Sequence, residues 1–166
     1  IDAISNFMRQ LGFGQRTGID IEGESEGVLP SPEWKKKRFR KPELQRWYGG
    51  ETISVGIGQG YSAYTPVQMA NALAALVNDG KLFQPHLVRN VVDARGGVRR
   101  PVAPEPIRKI AVKPEHLAAV RAAMVDVNKS GTGARAFRGA TYEVGGKTGT
   151  AQVFSLKGGR YVEGRL

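Results

Sequence analysis

The stretch that most constrains this 166-residue chain is Thr65-Pro66-Val67-Gln68 followed by MANALAALVNDG. A threonine able to accept from the third helical N–H, a glutamine three residues on that can answer it, and a proline at the first helical position start a helix in one register. Met69, Leu73, Leu76 and Val77 form its apolar stripe and Gly80 supplies a left-handed stop, so a helix is expected over 66–78. Two more helices are legible in the same way. Ile1, Ile4, Met8 and Leu11 share one stripe that ends at Gly12 and Gly14. Pro114 opens another along Leu117, Val120, Met124 and Val127, closed by Ser130-Gly131-Thr132-Gly133.

Between these helices the signals change. Residues 17–32 alternate short β-prone pieces such as Gly18-Ile19-Asp20-Ile21 with glycine, serine and proline, which favours loop with at most one short strand. From Trp34 to Tyr48 helical periodicity is poor and Pro42 interrupts it. Leu87 to Val92 and the turn at Arg95-Gly96-Gly97 suggest a hairpin.

Composition removes several classes of function. Cysteine is absent, which excludes disulfides, thiolate catalysis and the common structural zinc sites, and His86 and His116 lie too far apart for a helical two-histidine motif. No metal and no cofactor is expected. No apolar run approaches a membrane span, and the first residues lack the regions of a signal peptide, so any targeting segment is expected outside these residues. The net charge of +10 invites a nucleic-acid reading. Half of that excess sits in one segment, however: Lys35, Lys36, Lys37, Arg38, Arg40, Lys41 and Arg46 against two acidic residues, a run more simply read as a solvated loop.

Residues 142–154, YEVGGKTGTAQVF, combine β-branched and aromatic residues with glycines at 145, 146 and 149, the pattern of a strand with places of close backbone approach. Strict alternation would place Lys147 on one face and Thr148 with Thr150 on the other, so all three serve one ligand only if it lies along the strand's edge. Gly149 would admit a peptide-like ligand close to the backbone, and the threonine hydroxyls with the ammonium could hold a carboxylate.

A Lys-Thr-Gly element joins Ser-x-x-Lys and Ser-Asp-Asn in the signature of penicillin-binding proteins and serine β-lactamases. Beyond it, LGFGQRTGIDIEGE (11–24), LPSPEWKKKRFRKP (29–42), the block SVGIGQGYSAYTPVQMANALAALVNDG (54–80) and GGKTGTAQVF (145–154) resemble the elongation-type class B penicillin-binding proteins, in the family's order and over nearly the whole chain. The region from about 88 to 110 is the least distinctive.

The resemblance implies an α+β fold, with helices on an antiparallel sheet and the KTGT strand at the active-site edge. It implies a peptidoglycan D,D-transpeptidase: a serine attacks the D-Ala-D-Ala carbonyl of a stem peptide, releases D-alanine and passes the acyl group to an amine, and β-lactams acylate the same serine. Lys147 would support the proton relay and the local positive field, and Thr148, Gly149 and Thr150 would bind the substrate's carboxylate end. The Thr150 N–H would be half of the oxyanion hole. The implied partners are stem peptides, β-lactams and cell-elongation membrane proteins rather than nucleic acid, at the outer, periplasmic face of the bacterial cytoplasmic membrane.

The pattern is incomplete. Ser5, Ser25, Ser31, Ser54, Ser62, Ser130 and Ser155 are followed three residues on by Met, Val, Trp, Ile, Thr, Gly and Gly, so no Ser-x-x-Lys exists, and none has asparagine two residues on. The expectation is therefore that 1–166 form the C-terminal portion of a single transpeptidase domain, without the upstream nucleophile region or the terminal strands, and inactive alone. Two other readings compete: a basic module binding nucleic acid or anionic polymer through residues 35–41, and a β-lactam sensor or hydrolase of the same fold. Gly56-x-Gly58-x-Gly60 lacks the ending of a phosphate loop and is read as backbone-shaping, and Trp47, Tyr61 and Tyr64 as packing residues.

Overall fold

A computed structural model describes residues 1–97 and 99–149. They fall into two compact units, Ile1–Ala119 and the residues from Val120 onward, and the division lies within the last helix.

In the first unit, helix α1 (Asp2–Gln10) is followed by a long loop, then by α2 (Pro32–Arg38), α3 (Pro42–Gln45), α4 (Gly49–Gly56) and α5 (Pro66–Val77). Strands β1 (Lys81–Phe83) and β4 (Pro106–Lys109) pair antiparallel, and the hairpin of β2 (Asn90–Val92) and β3 (Arg99–Pro101) lies between them in sequence. Helix α6 (Pro114–Lys129) leads into the second unit. Helices and short antiparallel strands make this a partial α+β fold.

The capping box forms as its residues dictate: Thr65 Oγ1 accepts from Gln68 N–H at 3.2 Å and Gln68 Oε1 accepts from Thr65 N–H at 3.0 Å. The same glutamine does more. It is buried, and its amide nitrogen donates to the carbonyls of Gln15 (2.7 Å) and Glu26 (2.9 Å), binding the loop after α1 to the start of α5. With every polar atom satisfied, a buried glutamine costs little. It also corrects the expected stripe. Ala72 and Ala75 join Gln68 on the inward side and Leu76 packs on the core, whereas Met69, Leu73 and Val77 are 58%, 43% and 56% exposed.

Leu11, Phe13, Leu29, Ala72, Ala75, Leu82 and Ile110 form the core, so α1, the following loop, α5, β1 and the residue after β4 meet at one place. Gly14 lies where φ is +70° and a Cβ would sit 2.5 Å from that of Leu29, so only glycine lets the loop pass this close. Ser5 Oγ donates to Pro30 O at 2.7 Å, fixing the loop's far end to α1.

Sequence and structure part most clearly over residues 31–45. Ser31 accepts from Trp34 N–H at 3.1 Å and Pro32 takes the first helical position, so the basic run is helical, the same start signal as at Thr65-Pro66. Residues 143–149 also depart from the strand expected over 142–154, whose residues 150–154 lie outside the described ones. The stretch 143–149 carries no strand, because its backbone bonds, where seen, go to the end of α6 and not to a neighbouring strand.

Candidate functional site

The segment ending in Lys147-Thr148-Gly149 is set by what holds α6's last turn. Asp126 O accepts from the N–H groups of Ser130 and Gly131, both at 3.0 Å, and Val127 O accepts from Gly133 N–H at 2.9 Å. The chain coils tightly here because residues 131 and 133 lack side chains. A Cβ on Gly131 would sit 2.9 Å from Val127 Cα, and one on Gly133 would sit 2.2 Å from Asn128 Oδ1. After the turns to residue 140 the chain returns along α6. Asn128 Nδ2 donates to Val144 O at 3.0 Å, Gly146 N–H donates to Met124 O at 2.9 Å, and an exposed ion pair joins Lys129 to Glu143 at 2.6 Å. Glu143 raises the Lys129 pKa through that hydrogen bond and its charge.

This anchoring delivers Lys147, Thr148 and Gly149 to the surface, all three exposed. The Lys147 ammonium donates to Thr148 O at 2.6 Å, and the hydroxyls of Thr148 and Thr132 lie 2.8 Å apart. Among the described residues a Cβ built on Gly149 would meet nothing within 4 Å, so none of them covers the space beside its backbone. An ammonium, a hydroxyl and an uncovered backbone edge within three residues can hold a carboxylate on an extended ligand. Thr150, expected to add a second hydroxyl and an oxyanion donor, lies outside the described residues. A cavity of about 500 Å³ opens beside the end of α6, lined by residues including Asn128, Lys129, Phe137, Arg138 and Tyr142. The Lys147–Gly149 segment does not line it.

Sequence reasoning missed a second polar centre, in the first unit. Lys35, expected in a solvated run, is buried. Its ammonium pairs with the Glu51 carboxylate, donates to Arg46 O at 2.7 Å, and lies 5.1 Å from the Tyr48 ring, 5.8 Å from that of Tyr61 and 6.0 Å from that of Trp47. Glu51 also accepts from Tyr61 OH at 3.1 Å and Tyr48 N–H at 2.8 Å. Burial pushes the Glu51 carboxyl up, but bonds from Lys35, Tyr48 and Tyr61 outweigh it and hold its pKa below the ordinary glutamate value. The Tyr61 ring packs on Trp34 with centroids 5.2 Å apart, and the Tyr64 ring lies 4.4 Å from that of Phe13, so both tyrosines do pack. A lysine flanked by tryptophan and lysine gave no sign of this, since burial here depends on a glutamate sixteen residues on.

Among the described residues no group of acidic or histidine side chains could hold a metal ion, and no helix is long and apolar enough to cross a membrane.

Residues 1–165 match the penicillin binding protein transpeptidase domain family. The chain is 46% identical over 162 residues to the peptidoglycan D,D-transpeptidase MrdA of Haemophilus influenzae, covering 95% of this chain and 24% of that protein. It superposes on Pseudomonas aeruginosa PBP2, whose crystal structure is a complex with WCK 5153, with a TM-score of 0.78 and 39% identity over 92% of this chain and 33% of that one. A complex between PBP2 and MreC from Helicobacter pylori matches with a TM-score of 0.71 and 31% identity, over 92% and 26% of the two chains. The chain thus spans about a quarter of the length of the curated relative it matches.

Proposed function

This chain belongs to the penicillin-binding protein transpeptidase family, and from that premise we propose that it is part of an elongation-type peptidoglycan D,D-transpeptidase whose nucleophile lies elsewhere in the polypeptide. Residues 1–166 then belong to one transpeptidase domain and supply its carboxylate-binding edge. The observation that carries this reading is the exposed Lys147-Thr148-Gly149 segment, a Lys-Thr-Gly element of the family signature held open at the surface by the end of α6.

The chemistry follows from these groups. The terminal carboxylate of a stem peptide, or the carboxylate of a penicillin, accepts from the Thr148 hydroxyl within the field of the Lys147 ammonium. The ligand backbone runs past Gly149, where no side chain among the described residues blocks it, and Thr150 adds a second hydroxyl and its N–H to the oxyanion hole. That N–H acts on charge that develops as a serine attacks the carbonyl, so it lowers the barrier rather than tightening the ground state. Lys147 assists the proton's transfer from serine to leaving group. The Helicobacter PBP2–MreC complex supports an elongation partner for the intact protein, and the family supports a place at the outer face of the cytoplasmic membrane.

The reading is tested by fluorescent penicillin. The 166-residue chain should carry no label after denaturation, since none of its serines has the lysine partner that activates the family's nucleophile. The intact polypeptide should carry one label per molecule, on a serine outside these residues. Label on a serine within the chain, or none on the intact protein, would overturn the proposal.

A further inference from the structure

Two anchorages converge on one pair of hydroxyls. Thr132 sits between Gly131 and Gly133, whose N–H groups are both bound to carbonyls of α6, so its backbone is held on either side. Thr148 follows a stretch held to the same helix by Asn128 Nδ2 on Val144 O and by Gly146 N–H on Met124 O. Small residues ease both paths: a Cβ on Gly131 would lie 2.9 Å from Val127 Cα, and one on Gly146 would lie 3.0 Å from Asn128 Nδ2, so that the Asn128 side chain would have to give. The two threonine oxygens meet at 2.8 Å.

Each hydroxyl has one proton to give and two lone pairs to accept with. Two arrangements of the pair are possible: Thr132 donates to Thr148, or the reverse. If Thr148 spends its proton on Thr132, it has none for a ligand. If Thr132 donates, the Thr148 oxygen is satisfied as an acceptor and its own proton points away, free for an incoming carboxylate. A carboxylate selects the second arrangement, and donation from Thr132 polarises the Thr148 O–H further. Both side chains are exposed, so the bond contributes little to folding. Its consequence is orientation.

We infer that Thr132 is a positioning residue for carboxylate recognition, donating to Thr148 so that the Thr148 hydroxyl is aimed at the substrate. This rests on the reading of Thr148 as a carboxylate donor, and the experiment separates the two. In the intact protein, Thr132→Val, Thr132→Ser, Thr148→Val and the double valine variant are compared for acylation by a penicillin and by its methyl ester, which lacks the carboxylate charge. Pre-steady-state kinetics separate the dissociation constant from the acylation rate constant.

Thr132→Val should weaken penicillin binding about five- to tenfold, the worth of one modest hydrogen bond, with the acylation rate constant little changed. Thr132→Ser should restore it to within about twofold, since the hydroxyl returns without the methyl. The penicillin-to-ester preference should shrink in Thr132→Val, and this ratio, taken within one variant, does not depend on how much protein is folded. The valine substitution at 132 should add nothing in the Thr148→Val background. A full preference in Thr132→Val, or failure of Thr132→Ser to rescue, overturns the role of Thr132 while Thr148→Val still loses the preference. A Thr148→Val variant that keeps the preference overturns the underlying reading instead.

Discussion

Lys35 and Lys147 are the same side chain in opposite circumstances. Lys35 is buried, paired with Glu51, bonded to Arg46 O and enclosed by the rings of Trp47, Tyr48 and Tyr61. Lys147 is exposed and donates to the carbonyl of the next residue. An ammonium with its environment completed by the protein serves folding, because removing it leaves a partly buried carboxylate without its cation. An ammonium exposed at the surface is available to a ligand. The difference predicts which lysine stability depends on and which one chemistry depends on.

The comparison breaks most easily at Lys35. Lys35→Met should cost about 2–3 kcal/mol in urea unfolding, since Glu51, partly exposed and still bonded to Tyr48 and Tyr61, loses its cation, and Lys35→Met with Glu51→Leu should recover most of that loss. If the single variant is as stable as the parent, the first unit does not rely on this pair. A smaller loss is expected where the same segment begins: Ser31→Ala removes the acceptor for Trp34 N–H and should cost about 1 kcal/mol in the same measurement.

Acid sharpens the contrast. The Glu51 pKa is depressed in the folded chain, so its ionised form favours folding above the unfolded glutamate value of 4.5. That contribution is lost as pH falls from there through the folded value. The stability gap between parent and Glu51→Gln should therefore close as pH drops below about 4.5 and stay constant from pH 6 to 8. A gap independent of pH would mean that the carboxylate's charge plays no part. The smallest change belongs to Lys147→Ala, expected to alter unfolding free energy by less than about 0.5 kcal/mol, as for other exposed sites away from caps and strained backbone.

Legibility in the sequence followed the range of the interactions involved. Thr65-Pro66-Val67-Gln68 could be read because a capping box closes within four residues, whereas the left-handed stop begins one residue before the expected Gly80, at Asp79 (φ +52°), with Gly80 at φ +76° giving its N–H to Ala75 O at 2.8 Å. Ser31-Pro32 carries a similar local start signal, but the lysines after it drew the reading toward loop. The inward face of α5 was hidden because Gln68 is satisfied by carbonyls 53 and 42 residues away, which turns a polar position into a buried one and leaves Met69 and Val77 outward. The hairpin of β2 and β3 was legible from its turn, with Gly96 at φ +72°. Over residues 143–149 a strand was not secured by composition alone, since a strand exists only where another backbone pairs with it, and this stretch bonds to α6 instead. The Lys-Thr-Gly element could be named from sequence. Its support by Asn128 and Thr132 could not, because that depends on how the chain coils after α6.

The most direct test is the acylation rate of the intact protein by penicillin in parent and Lys147→Ala, with thermal unfolding measured on the same samples. Second-order acylation should fall about 10²–10³-fold in Lys147→Ala, the scale of losing one preorganised electrostatic group, with the melting temperature within about 2 °C of the parent. An unchanged acylation rate, or a loss matched by unfolding, would contradict the assignment of Lys147 to the chemistry.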